Sequence, residues 1–383
     1  MKYKLLYLFL AVFSLLIFFP SCNKDRKREK IQKEQGGESS YAERFELRVT
    51  DSCTILSVKD PWQGAGNVIH EYYLKKESYQ KELKVDHSKI IKVPVNRIIC
   101  MSTTHIAMIS ALGRQNTIVG VSGAGFVYDS EVNNRISRGL VSDVGYDSGL
   151  NTELIVKSSP DLVMIYGIGS ESAGYTAKIG ELGLRVMYNA DYLETDPLGK
   201  AEWIKVFGAL YCCEELADSL FREIRDSYLN LRELIAETAS KPVVMMGMPF
   251  RDVWYVSPGN SYISKLVDDA GGSYLWRETG SAVSIPYSLE SVYAAAMKAD
   301  IWLNTGTASS KSEIVAIDKR LGSMPPFINN RLYNNNKRLN PAGGNDYWES
   351  GAINPHIILR DIASIIHPEI FPAYETVYYR KVE

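Results

Sequence analysis

The 383-residue chain has little of what a hydrolase or a metalloenzyme is built from. Its five histidines stand at positions 70, 87, 105, 356 and 367 and never form H-E-x-x-H. No G-x-S-x-G, G-x-G-x-x-G or Walker A loop occurs. So few histidines leave few bases for a catalytic triad. There is no histidine-rich loop of the kind that captures bare zinc. The cysteines at 53, 100, 212 and 213 form no C-x-x-C pair, and their spacing suggests no zinc site. A net charge of −2 gives nucleic acid no bulk attraction, so no nucleic-acid partner is expected.

What is present begins at the N-terminus. Lys2 and Lys4 precede an apolar run over residues 5–19, followed by Pro20, Ser21 and Cys22. That run is short for a membrane span and right for a signal-peptide core. A small residue before cysteine resembles a bacterial lipobox, which implies a lipid on Cys22 after cleavage. Phe19 and Pro20 depart from that box. Residues 23–40 are rich in Lys, Arg, Glu, Gln and Gly and read as a flexible tether after the 1–22 signal. The expected place is the periplasm, lipid-anchored to a cell membrane.

Residues 41–91 alternate as short strands, at 45–49, 55–58 and 68–74, with turns between them. They predict a small β extension, with Trp62 in a turn. From residue 92 short apolar strands alternate with capped helices, which implies parallel sheets covered on both faces. The rhythm stops at residues 197–240 and resumes at 241. In that stretch Trp203, Val206, Phe207, Leu210, Leu216, Leu220, Ile224, Leu231 and Leu234 recur at helical spacing. Asp196-Pro197 starts it and Lys241-Pro242 stops it, so two abutting helices are expected, the second long, with Cys212 and Cys213 packed on the apolar side. The predicted fold is two α/β lobes with mainly parallel sheets, at 92–196 and 241–383, joined by one long helix.

A weak repeat links the two halves. Asn151-Thr152-Glu153 opens a helix that ends at Pro160-Asp161 and a strand. Ser288-Leu289-Glu290 opens another that ends at Ala299-Asp300 and a strand. Each glutamate lies in a first helical turn, where it complements the helix dipole.

Several stretches together resemble the bacterial substrate-binding proteins of ABC importers for iron–siderophore, haem and cobalamin-type ligands. They include RIICMSTTHIAMISALG, DVGYDSGLNTELIVKSSPDLVMIYG, IPYSLESVYAAAMKADIWLN and NDYWESGAINPHIILRDIASIIHPE, and the resemblance covers roughly residues 92–370. It implies a cleft between two lobes that hinge little. It also implies that Glu153 and Glu290 dock onto arginines of a permease, which an ATPase drives.

In open α/β sheets ligands sit beyond the carboxyl ends of the strands, so the loops there are the candidate site. In the first lobe these offer Ser102, His105, Phe126, Tyr128, Tyr146 and Tyr166. In the second they offer Phe250, Arg251, Trp254, Tyr255, Trp276, Tyr287, Asn304, Thr307 and Trp348. Aromatics dominate, which suits a large ring-bearing chelate or corrinoid, and Arg251 suits a carboxylate or phosphate. His105, at a helix start, is either an axial ligand to the cargo's metal or a core histidine. No catalytic residue, resident cofactor or metal site is expected. The alternatives are a chelatase-like tetrapyrrole enzyme, against which an export signal argues, and a lipoprotein that hands ligand to an outer-membrane receptor.

Overall fold

The computed structural model describes residues 40–383, apart from 80, 147–148, 168–177 and 282. Cys22, the apolar run and the tether to residue 39 lie outside the described residues. Residues 40–383 pack as one compact unit.

The β extension forms as a sheet of four strands, β1 (Phe45–Val49), β2 (Thr54–Lys59), β3 (Ile69–Lys76) and β4 (Ile90–Val93). The first three are an antiparallel meander, and β4 adds parallel to β3, a strand the alternation did not reveal. Phe45 packs edge-on against Trp203 at 4.9 Å, and Trp62 and His70 pack against Tyr188 at 5.5 and 5.0 Å. The start of the chain is fastened by buried carboxylates. Glu202 accepts the N–H groups of Tyr41 and Ala42 at 2.8 and 2.9 Å, and Glu194 accepts those of Glu43 and Arg44, each at 3.0 Å.

The N-terminal half then lays down β5 (Ile98–Cys100), α1 (Thr103–Ala111), β6 (Ile118–Val121), α2 (Ser130–Ser137), β7 (Ser142–Asp143), α3 (Thr152–Lys157), β8 (Leu162–Ile165) and β9 (Val186–Tyr188). The sheet runs β7-β6-β5-β8-β9, all parallel. Its three inner strands, β6, β5 and β8, are buried on both faces, as a sheet covered by helices requires. Ser102, Asp129 and Asn151 cap α1, α2 and α3 with their side-chain oxygens.

The predicted long helix region is three helices: α4 (Pro197–Glu202), α5 (Ile204–Tyr211) and α6 (Glu214–Ala236). Cys212 adopts a left-handed conformation, φ 53°, which ends α5; the two cysteines are the break, rather than part of a continuous apolar face. All four described cysteines are free thiols. α5 is buried almost all round. Gly208 lets it lie against α6, since a Cβ there would stand 2.5 Å from the Ala217 Cβ. The buried stripe of α6 is Ala217, Phe221, Ile224, Tyr228, Leu231 and Ile235. Leu216 and Leu234, expected on it, face solvent. The sequence pattern placed the stripe partly one residue out of phase because Phe221 and Tyr228 carry the packing.

The C-terminal half comprises β10 (Val243–Met246), β11 (Val253–Val256), α7 (Tyr262–Asp269), β12 (Ser273–Tyr274), β13 (Ile285–Ser288), α8 (Leu289–Ala296), β14 (Ile301–Leu303), α9 (Lys311–Ile317), α10 (Pro325–Ile328), β15 (Leu332–Asn334), α11 (Pro355–Ile366) and β16 (Arg380–Lys381). Its sheet runs β12-β10-β14-β15-β16, parallel except for β16. β11 and β13 form a separate antiparallel ribbon, so Trp254, Tyr255 and Tyr287 lie on strands rather than on loops. Helix α10 and strand β15 lie between β14 and α11. Asp361, fully buried on α11, ties down the C-terminal segment by accepting from the N–H groups of Val377, Tyr378 and Tyr379 and the Tyr374 hydroxyl.

Candidate functional site at the carboxyl ends of the two sheets

In both halves the first strand of the sheet, β5 or β10, is flanked by strands whose crossovers leave in opposite directions. This arrangement opens a crevice beyond the carboxyl ends of the strands. In the N-terminal half Asp143 ties together the loops after β6 and β7. Its carboxylate accepts the N–H groups of Gly123 and Gly145 at 3.0 Å and of Ala124 at 2.9 Å. Those loops present Phe126 and Tyr146, each 53% exposed, with ring centres 5.7 Å apart. A Cβ at Gly123 would meet the Phe126 ring at 2.6 Å, so this glycine makes room for the aromatic. After β8 the half-buried Tyr166 meets Tyr192 edge-on at 6.2 Å. The β extension reaches the same end of the sheet, because Trp62 bridges the backbone of Gly167. The sequence offered no sign of that approach.

In the C-terminal half the alternation of the ribbon sorts its residues. Tyr255 is 56% exposed, while Trp254 beside it is fully buried, tilted against Trp302 with ring centres 5.7 Å apart and donating its indole N–H to the Met246 carbonyl at 3.1 Å. Phe250 is exposed, and the Arg251 guanidinium lies 5.3 Å from its ring centre. Tyr287 is half-buried opposite Trp254, and Trp348 is exposed. Asn304, left-handed at φ 56°, ends β14, with Thr307 exposed beyond it.

Three of the candidate ligand contacts are core residues. Trp254 and Trp276 are buried, the latter against Tyr274. His105 is wholly buried in α1 with neither ring nitrogen hydrogen-bonded, and burial pushes its pKa down to about 3. A neutral ring in that position does not reach a cleft, so axial ligation is set aside. Phe126, Tyr146, Phe250, Arg251, Tyr255 and Trp348 remain accessible at strand ends or adjoining loops. Tyr128 instead lines a groove of about 970 Å³ between α1 and α2 on one side and the 338–354 loop on the other, with the Arg338 guanidinium 5.4 Å from its ring centre.

The two glutamates occupy matching places. α3, led by Glu153, precedes β8, which pairs with β5; α8, led by Glu290, precedes β14, which pairs with β10; β5 and β10 are the first strands of their sheets. Both side chains are exposed. Glu290 accepts from Arg320 at 2.8 Å, and that hydrogen bond, first among its causes, holds its pKa below the usual carboxylate range. Among the described residues no group of three or more His, Cys, Asp or Glu is placed to hold a metal ion, and no helix is long and apolar enough to cross a membrane.

Comparison with known proteins follows the same outline. The family model described as periplasmic binding protein matches residues 98–338. An uncharacterized lipoprotein of Methanocaldococcus jannaschii is 29% identical over 314 residues, 79% of this chain and 73% of its own. A periplasmic heme-binding protein of Pseudomonas aeruginosa superposes with a TM-score of 0.55 at 15% identity, covering 76% of this chain and 98% of its own. A protein of an ABC-type Fe3+-hydroxamate transport system from Saccharomonospora viridis gives 0.53 at 19% identity, covering 73% and 94%. At these identities the two structures share the fold.

Proposed function

The chain belongs to the periplasmic binding protein family, and on that premise we propose that it captures a metal chelate between its two halves and delivers it to the permease of an ABC importer. The cargo is a ferric siderophore or a related chelate, haem or cobalamin, and the chain does no chemistry on it. The observation that carries this reading is the concentration of accessible aromatics on the loops and the ribbon that follow strands of both sheets: Phe126 and Tyr146 on one side, Phe250, Tyr255 and Trp348 on the other. Aromatic faces hold flat or ring-rich ligands by stacking, without needing many charges. Arg251 supplies a cation for a carboxylate on the cargo. The heme- and hydroxamate-linked neighbours support the choice of class.

Glu153 and Glu290 are the docking points in this reading. They stand at the start of equivalent helices, so the permease meets one carboxylate on each half. Cys22 carries the lipid that keeps the protein at an extracytoplasmic membrane surface, an assignment supported by the lipoprotein relative.

The test of the cargo is a titration of residues 40–383 with haemin, cyanocobalamin and a ferric hydroxamate, followed by tryptophan fluorescence and ligand absorbance. Tight one-to-one binding of one of the three is expected. A flat response to all three would remove the chelate reading.

A further inference from the structure

The two halves are joined a second time, far from α6 in sequence. Glu349, only 2% exposed, extends from the 338–354 loop of the C-terminal half. Its carboxylate accepts the backbone N–H groups of Tyr128 and Asp129 in the N-terminal half, each at 2.7 Å. Asn340 of the same loop donates its side-chain amide to the Val127 carbonyl at 2.6 Å. The backbones close in tightly here, because a Cβ at Gly344 would stand 2.7 Å from the Phe126 carbonyl oxygen. The held segment is the one that carries Phe126, and the residue before Glu349 is the exposed Trp348. One contact therefore sets an aromatic of one half relative to an aromatic of the other.

We propose that Glu349 is a positioning residue, a proton-linked clamp that fixes the N-terminal aromatic wall against the C-terminal half. Its role in ligand capture rests on the cleft reading above; the clamp itself does not. Charge around it is unfavourable. Asp129 faces it from the cap of α2, and Asp346 from its own loop, with Asp346 paired to Arg338 at 2.6 Å. Cys100 approaches from the end of β5, and α1, packed against residues 350–352, brings only the neutral His105. Burial, first, and then the two aspartates push the Glu349 carboxyl up from 4.5 to about 7, against the pull of the two N–H donors. Once released into water, the group returns to the ordinary range near 4.5. Between these values the clamped form holds a proton that the released form has lost. Acid therefore favours the clamp, and the clamp weakens as pH rises through about 7.

The experiment is hydrogen–deuterium exchange of the full-length protein at pH 5.5 and pH 8, corrected for intrinsic exchange chemistry, read on peptides spanning residues 125–129. Protection at pH 5.5 should exceed that at pH 8 by about tenfold or more. Glu349→Ala should lose the protection at both pH values. Glu349→Gln, which cannot titrate and offers one acceptor oxygen to two N–H donors, should show a reduced level that does not change with pH. Peptides over β5 and β8 serve as the folding control and should be unaffected. Unchanged protection in Glu349→Ala, or a pH response retained in Glu349→Gln, would overturn the proposal. Failure of every chelate to bind would instead remove the cleft reading and leave the exchange result standing.

Discussion

The N- and C-terminal halves share one plan and differ in how they finish it. In each, the first strand of the sheet is followed by a Ser-capped helix, and a glutamate-led helix leads to the strand on its other side. Even the aspartate after that helix has the same task. Asp161 accepts the N–H groups of Asn96 and Arg97, at the start of β5, at 2.9 and 3.0 Å. Asp300 accepts that of Val243, the first residue of β10, at 2.8 Å. What looked like a weak sequence repeat is a repeated device for pinning two neighbouring strands at one end. The halves diverge at the opposite end. The N-terminal half builds its aromatic wall from loops, while the C-terminal half inserts β11 between its first strand and α7 and pairs it with β13. Shared residues thus mark the scaffold, and divergent ones shape the loops at the strand ends.

The comparison can be sharpened in three places. The largest effect concerns the third residue after each helix cap. Both His105 and Ser264 are fully buried with polar atoms lacking hydrogen bonds. Burial holds the His105 pKa near 3, below its unfolded value of 6.5. The stability it permits is present above pH 6.5 and is lost as pH falls below it. His105→Leu should therefore relieve about 2 kcal/mol of acid destabilisation between pH 6.5 and 5. Ser264→Ala should change stability by about 1 kcal/mol or less at either pH. Urea unfolding at the two pH values measures both, and an identical pH response in His105→Leu and the parent would contradict the assignment.

Next come the pinning aspartates. Asp161→Ala breaks two backbone hydrogen bonds and should cost about 2 kcal/mol, whereas Asp300→Ala breaks one and should cost about 1 kcal/mol. Chemical denaturation would show the reverse order if the repeat were only a coincidence of sequence. The smallest effect is electrostatic. Arg320→Ala should let the Glu290 carboxyl return toward its ordinary range, with stability unchanged because the pair is exposed. Carboxyl-carbon NMR titration reads this directly, and no movement would mean that the pair does not persist in solution.

Much of this plan was legible before any coordinates. Caps at Ser102, Asn151, Ser261 and Ser288 and the short apolar runs located most helices and strands, because those signals are local. Phase was harder. In Val-Trp-Tyr-Val all four residues suit a strand, and only the ribbon's pairing decides that Trp254 points in and Tyr255 out. His105 failed as a cleft residue for a similar reason. α1 is apolar nearly all round, so its start does not say which side meets the crevice. Glu349 was invisible, since its partners lie more than 200 residues away and no local pattern announces them. The same holds for Trp62 beside Gly167 and for the carboxylates of Glu194 and Glu202 that seat the first described residues.

The most direct test of the account separates capture from delivery. A Glu153→Ala/Glu290→Ala double variant alters only two exposed side chains on equivalent helices. Chelate affinity of the purified variant and uptake of the same chelate by cells carrying it should be measured together. The account predicts unchanged affinity with uptake abolished. Lost affinity, or uptake that persists with both carboxylates gone, would contradict it.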